Sequence, residues 1–265
     1  MKPKISIGIP TYNQSKLLSK TIKSVLSQDE KDFELIIVDD CSTDDTSNVV
    51  KSFKDDRIIY FKTEKNLKPP SVYNFALNCA RGKYFVLLDH DDILLSNYLS
   101  KMSNYLDNND NIAYAQCNFV EINFFDKILT NYIHDYNFLE LKKIDALDWQ
   151  FQFLDCKPAA IMLNLKIIKD LNEVWEETYW DDWAFYLRIA FKRGMLLVPD
   201  VLCCIRNHDQ QLNKILSQPD IQVQDYFLHQ LMSVIGIMQP FNLYSSSIFS
   251  KEIRKISISY FFYSI

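Results

Sequence analysis

Apolar positions along the chain follow two alternating rhythms. Ile5, Ile7 and Ile9 recur at every second position, and 33–38, 58–62 and 84–88 are short runs rich in β-branched and aromatic residues. Such runs predict strands, the continuous ones buried on both faces as in a parallel sheet. Between them Leu18, Ile22, Val25 and Leu26 fall at helical spacing behind Ser15, a candidate N-cap. Segments 46–53 and 71–80 also read as helices. Strand and helix alternating with short links predict an α/β domain with a mostly parallel, doubly wound sheet. Further on, 97–107 reads as a helix, 112–120 as a strand, 159–163 as a short strand and 165–171 as a helix. The stretch 121–157 has little period, with two turns and a helix near 145–153. Trp183, Leu187, Ala190 and Phe191 place Asp181 and Asp182 in the first turn of a helix that Lys192-Arg193-Gly194 ends. Segments 195–198 and 201–205 read as two short strands.

The run 84–88 stops abruptly in Asp89, Asp91 and Asp92, with His90 among them. Carboxylates at the end of a buried strand are costly unless something positive satisfies them. Mg²⁺ or a similar hard cation takes such oxygens and keeps positions free for substrate phosphates. The same acids would also serve as a turn capping the next helix. The first strand ends in Thr11 and Asn13 and the second in Asp39 and Asp40. In a parallel sheet these carboxyl ends share one edge, the edge at which α/β sheets bind ligands.

Composition narrows the partner. The chain has 265 residues and a formal net charge of -5, which disfavours nucleic acid and calls for a local cation if phosphates are handled. Only four glycines occur (8, 82, 194, 236), so neither a dinucleotide-binding nor a P-loop glycine fingerprint is possible. Six scattered cysteines contain no C-x-x-C pair, against a zinc site or a disulfide scaffold. No leader and no apolar run of about 18 residues is evident, and a cytoplasmic protein is expected. The division expected is a catalytic α/β domain over 1–218 and a helical segment over 219–265.

Taken together, Pro10-Thr11-Tyr12-Asn13, Val38-Asp39-Asp40-Cys41-Ser42-Thr43-Asp44, Leu88-Asp89-His90-Asp91-Asp92, the pair Asp181-Asp182 and Arg206-Asn207-His208 resemble, in order and spacing, family 2 glycosyltransferases of GT-A fold. The resemblance runs from about Lys4 to His208. It implies a Rossmann-like α/β sandwich and a metal-dependent, inverting transfer from a nucleoside diphosphate sugar to a glycan or lipid-linked acceptor, as in bacterial surface polysaccharide synthesis. It implies nucleoside contacts from Pro10, Thr11, Tyr12, Asn13 and Asp40. Asp89 and Asp91, with Asp92 beside them, would hold Mg²⁺ or Mn²⁺ on the diphosphate, Asp91 and Asp92 being closer to the family pattern than Asp89, and His208 would contact the metal or the phosphates. Asp182 would be the base, with Asp181 and Trp180 beside the substrate and Asn74 on the donor side. The sequence departs from the family in having Tyr73 where a basic residue is usual and Asp181 where Glu is more frequent. The processive Q-x-x-R-W element is missing.

Other readings remain. A sugar nucleotidyltransferase would want a Gly- and Arg-rich loop after the first strand, which Pro10-Thr11-Tyr12-Asn13 is not. A non-catalytic sugar-nucleotide binding protein would not need the acid set. A uracil or thymine base would suit Asp40, since its imide N–H can be accepted by a carboxylate. His90 reads as a turn residue facing solvent. Trp180 and Trp183 serve equally as core aromatics or as a sugar-facing surface. The segment 219–265 reads as an appendage packed on the domain or a second subunit, or as a basic-aromatic stretch on a membrane surface.

Overall fold

The computed structural model describes residues 2–132, 139–141, 145–146, 156–176 and 181–208, with backbone alone at 131–132 and 181–183. Its strands are β1 (Ile5–Thr11), β2 (Phe33–Asp39), β3 (Ile58–Lys62), β4 (Tyr84–Leu87), β5 (Ile93–Leu94), β6 (Tyr114–Ile122), β7 (Ile128–Tyr132), β8 (Leu139–Leu141), β9 (Ile161–Asn164) and β10 (Met195–Arg206). The helices are α1 (Ser15–Leu26), α2 (Thr46–Ser52), α3 (Ser71–Cys79), α4 (Tyr98–Asp107), α5 (Leu165–Leu171) and α6 (Asp181–Arg193).

The strands form one sheet in the order β3-β2-β1-β4-β9-β6-β10-β5. β3, β2, β1 and β4 are mutually parallel. β9 runs against both β4 and β6, so β6 and its parallel neighbour β10 point the same way as β1. The result is the α/β sandwich with a mostly parallel sheet expected from the alternation of strand and helix.

Burial explains why the strands read as continuous apolar runs. All seven residues of β1 and all seven of β2 are buried, because helices cover both faces. On one face Leu18, Ile22 and Val25 of α1 and Leu99, Met102 and Leu106 of α4 pack with Ile5, Ile7 and Ile9. On the other, Val72, Ala76 and Leu77 of α3 pack with Ile36, Val38, Phe85 and Leu87, and with Ile189 and Ala190 of α6. Gly8 makes the α3 contact possible. A Cβ there would lie 2.9 Å from both Ala76 Cβ and Phe85 Cζ.

Three expectations are corrected. Ser15 is the first residue of α1 and not its cap. Its N–H donates to Asp44 Oδ2 at 3.0 Å, so the loop after β2 supplies the acceptor that the helix start lacks. The segments 195–198 and 201–205 are one strand, β10, whose register slips around Val201 to admit Pro199, which has no N–H for the ladder. The stretch 121–157 contains strands β7 and β8, paired with β6 and β10. The helix expected near 145–153 falls largely outside the described residues, as does all of 219–265.

Candidate active site

Every strand that ends at the carboxyl edge of the sheet contributes to one region. β1 and β2 end side by side, Thr11 opposite Asp39, and the Asp40 N–H donates to the Thr11 carbonyl at 2.8 Å. Asn13, in the left-handed region at φ 52, ties the two loops. Its N–H donates to Ser42 Oγ (2.9 Å), and its Oδ1 accepts from the Thr43 N–H (2.8 Å). The Asp40 carboxylate is buried. It accepts from the N–H groups of Leu67 (2.7 Å) and Lys68 (2.8 Å) and from Thr63 Oγ1 (3.1 Å). It therefore holds the 63–68 loop over the edge. Asp39 accepts from Ser42 N–H (2.7 Å) and Tyr60 OH (2.6 Å), a purely internal role. Thr11 Oγ1 is buried with no hydrogen-bond partner among the described residues, and Tyr12 beside it is 46% exposed.

The acid cluster lies next along the edge, between β4 and β5. The two-residue β5 turns the chain back and pairs with Cys203 and Cys204 of β10, which brings the end of the distant strand β10 to the acids. There His208 Nε2 lies 2.8 Å from Asp91 Oδ2. The Arg206 N–H donates to Asp92 Oδ1 at 2.7 Å, and its Nε donates to the Asp91 carbonyl at 2.8 Å. The fully buried guanidinium also donates through Nη1 to the Asn123 carbonyl (2.6 Å) and pairs with Asp126 (2.7 Å). Asp91, Asp92 and His208 are thus brought together, and Arg206 is the residue that assembles them. Its signal in the sequence was its place two residues before His208.

The electrostatics of the three acids differ. Asp89 is half-buried, and no hydrogen bond reaches its carboxylate among the described residues. Burial, then the negative charge of Asp91, pushes its pKa up to about 7. Asp92 is also raised, by burial and by the charges of Asp91 and Asp89. Burial also works against ionisation of Asp91, but the hydrogen bond with His208 and the nearby imidazole of His90 outweigh it and hold Asp91 below the usual range. His90 does not face solvent as expected. It is half-buried against the Pro10 backbone, and burial lowers its pKa. The carbonyl of His90 accepts from Thr21 Oγ1 at 2.8 Å.

A third group approaches from the other side. α6 leads through Gly194, at φ 81, into the start of β10, so the N-terminus of α6, Asp181 and Asp182, lies toward the carboxyl edge. The segment before it is clamped. Asn74 Nδ2 donates to the Trp175 carbonyl (2.7 Å), and Asn74 Oδ1 accepts from the Trp175 N–H (3.0 Å). Arg188 donates to Glu173 Oε2 (3.0 Å) and to the Val174 carbonyl (2.9 Å), while the Trp175 ring stacks on Phe185 at 4.1 Å. Asn74 is thus engaged with backbone 101 residues away. Trp180 lies outside the described residues.

Residues 6–171 match the sequence profile of glycosyl transferase family 2. The chain belongs to that family. An uncharacterized glycosyltransferase of Methanocaldococcus jannaschii is 34% identical over 227 residues, covering 82% of this chain and 76% of that protein. The GalNAc(5)-diNAcBac-PP-undecaprenol beta-1,3-glucosyltransferase of Campylobacter jejuni is 45% identical over 103 residues, 38% of this chain and 33% of that one. This chain thus matches only about a third of the length of the Campylobacter enzyme. Among solved structures, S. aureus TarS 1-349 in complex with UDP-GlcNAc superposes with a TM-score of 0.73 at 19% identity, over 89% of this chain and 66% of that one. The fold is of the GT-A type, and the protein is a glycosyltransferase of family 2 with relatives in bacterial lipid-linked glycan synthesis. Among the described residues no helix is long and apolar enough to cross a membrane.

Proposed function

We propose that this glycosyltransferase moves a sugar from a UDP- or dTDP-sugar to a hydroxyl of a glycan or lipid-linked acceptor, with inversion and with Mg²⁺ or Mn²⁺. The observation that carries the reading is the convergence of Asp89, Asp91 and Asp92 with the ends of β1 and β2 on one sheet edge. On the nucleoside side, the exposed ring of Tyr12 offers a stacking surface. The unpartnered Thr11 hydroxyl offers one polar contact, with Pro10 and Asn13 framing both. Asp40 has three of its roughly four acceptor positions filled. The remaining one suits the imide N–H of uracil or thymine, which cytosine lacks.

The donor set fits a hard cation. Among the described residues no group of three or more metal-ligating side chains closes around a point. Mg²⁺ and Mn²⁺ of this kind, however, are held by one or two carboxylates and completed by substrate phosphate. Asp89 and Asp92, raised by burial and by the charge of Asp91, are carboxylates whose ionised form such an ion would favour. Asp89 and Asp91 would hold it, with Asp92 beside them, and His208 would orient Asp91. When bound, the ion supplies positive charge to the leaving diphosphate.

Asp182, in the first turn of α6, would take the proton of the acceptor hydroxyl as the new bond forms. The positive end of the helix favours its ionised form there. Asp181 and Trp180 would border the acceptor. The test is Asp182→Asn. Donor affinity and folding should be retained, and turnover should fall about 10²–10⁴-fold. NMR of the product should show a β-glycoside from an α-linked donor. An α product, or near-normal turnover of the variant, overturns the single-displacement role.

A further inference from the structure

Among the described residues, seven large apolar side chains are exposed, and four of them lie on one hairpin: Phe124 (39%), Phe125 (82%), Ile128 (58%) and Leu129 (50%). Clustered exposure of this kind marks an interaction surface, whereas scattered single side chains do not. The hairpin is the β6–β7 turn, and it rises at the carboxyl edge of the sheet beside the acid cluster. Arg206 holds its turn through the Asn123 and Phe124 carbonyls. The Phe124 ring meets the His208 ring edge-on at 6.5 Å between centroids.

Beside the hairpin stands α1. Its exposed positions include Lys16, Lys20 and Lys23, which at about 100° per residue fall within roughly 60° of arc on one face. The helix, SKLLSKTIKSVL, contains no acidic residue, although the whole chain carries a net charge of -5. Lys20 Nζ reaches Asp126 Oδ2 at the hairpin turn at 2.6 Å, so the lysine stripe of α1 and the apolar turn are neighbours on the surface. Asp126 is shared between Lys20 and Arg206.

We propose that this face, Phe125, Ile128 and Leu129 together with Lys16, Lys20 and Lys23, docks on an anionic membrane surface. Apolar side chains that enter the headgroup boundary, backed by lysines facing anionic lipid, are the two contributions that peripheral binding requires. Docked this way, the chain brings the hairpin end of its carboxyl edge to the membrane. This deepens the reading of a lipid-linked acceptor and rests on it for its purpose, though the vesicle contact itself does not.

The test is co-sedimentation of the full chain with vesicles of phosphatidylcholine alone and of phosphatidylcholine mixed with phosphatidylglycerol, at low and raised salt. Binding is expected to the mixed vesicles only, weakening as salt rises. The double variants Phe125→Ser/Leu129→Ser and Lys16→Gln/Lys23→Gln should each lose about tenfold or more in partitioning, with circular dichroism and nucleotide affinity unchanged. The proposal is overturned if the parent ignores mixed vesicles or binds neutral ones equally. It is also overturned if both variants bind like the parent, which would move the contact to another segment such as 219–265. A change in self-association alone would assign the face to a second copy of the chain. Intact vesicle binding with transfer confined to water-soluble acceptors would count against the lipid-linked acceptor and leave the docking face standing.

Discussion

His208 Nε2 and Asp91 Oδ2 lie 2.8 Å apart across 117 residues of chain. The contact fixes the orientation of the one carboxylate in the cluster whose ionised form the protein favours. His208→Ala should therefore weaken Mn²⁺-dependent nucleotide binding by about 10–100-fold, the usual effect of losing a group that orients a ligand. Nucleotide titration at fixed Mn²⁺ measures it, and unchanged affinity would remove His208 from the site.

Asp89 links the site to pH. Between the ordinary carboxylate range and about 7, the folded protein keeps a proton on Asp89 that the unfolded chain has lost. Stability in chelator therefore falls as pH rises through that window, and Asp92, raised by burial and by its acidic neighbours, acts in the same direction. Asp44 is held at about 2. Burial opposes this, and hydrogen bonds from Thr46 and Ser15 overcome it. Asp44 acts with the opposite sign, but only below the ordinary range. A cation must displace the Asp89 proton, so Mn²⁺ affinity should rise with pH through about 7. His90, whose pKa burial lowers, acts with the opposite sign below the ordinary imidazole range, so melting curves of the parent and of Asp89→Asn from about pH 5 to pH 8, in EDTA and in Mn²⁺, test both statements by their difference. A parent that grows more stable with pH relative to Asp89→Asn in EDTA contradicts the assignment.

Arg206 is the structural linchpin of the edge. Arg206→Met strips donors from the carbonyls of Asp91, Asn123 and Phe124. The Asp91 carbonyl is buried and the other two partly so, and at about 1–3 kcal/mol for a buried acceptor left unmade the loss should reach about 2 kcal/mol or more. Urea denaturation gives the value, and a variant within about 0.5 kcal/mol of the parent would show that water replaces the guanidinium freely.

Asn74→Ala removes both hydrogen bonds to Trp175, at a cost of about 2 kcal/mol. The freed segment leads to the start of α6, so kcat should fall by more than nucleotide affinity does. Equal losses in both would make Asn74 a donor contact instead.

The sequence made part of this site legible. Asp39–Asp40 and Asp89–Asp92 could be placed on one edge because buried parallel strands are continuous apolar runs that stop at polar residues, a local signal. The helix start at Asp181 was equally readable from the spacing of Trp183, Leu187 and Ala190. What failed was non-local. β5 is two residues long and carries no period, yet it delivers Arg206 and His208 to the acids. Asp44 takes the cap role expected of Ser15 from a loop 29 residues away. Asn74 is tied to the Trp175 backbone, 101 residues away, a partner that no local pattern shows. β7 alternates too weakly to be read as strand, because Ile128 and Leu129 are exposed where solvent-facing residues are normally polar.

The central claim is that an acidic edge binds an anionic donor through a divalent cation. Calorimetric titration of UDP into the parent and into Asp91→Asn, each with Mn²⁺ and with EDTA, tests it most directly. The parent should bind at least about tenfold, or about 1.4 kcal/mol, more tightly in Mn²⁺. Asp91→Asn in Mn²⁺ should behave like the parent in EDTA while melting as a folded protein. Equal UDP affinity of the parent with and without chelator would contradict the account.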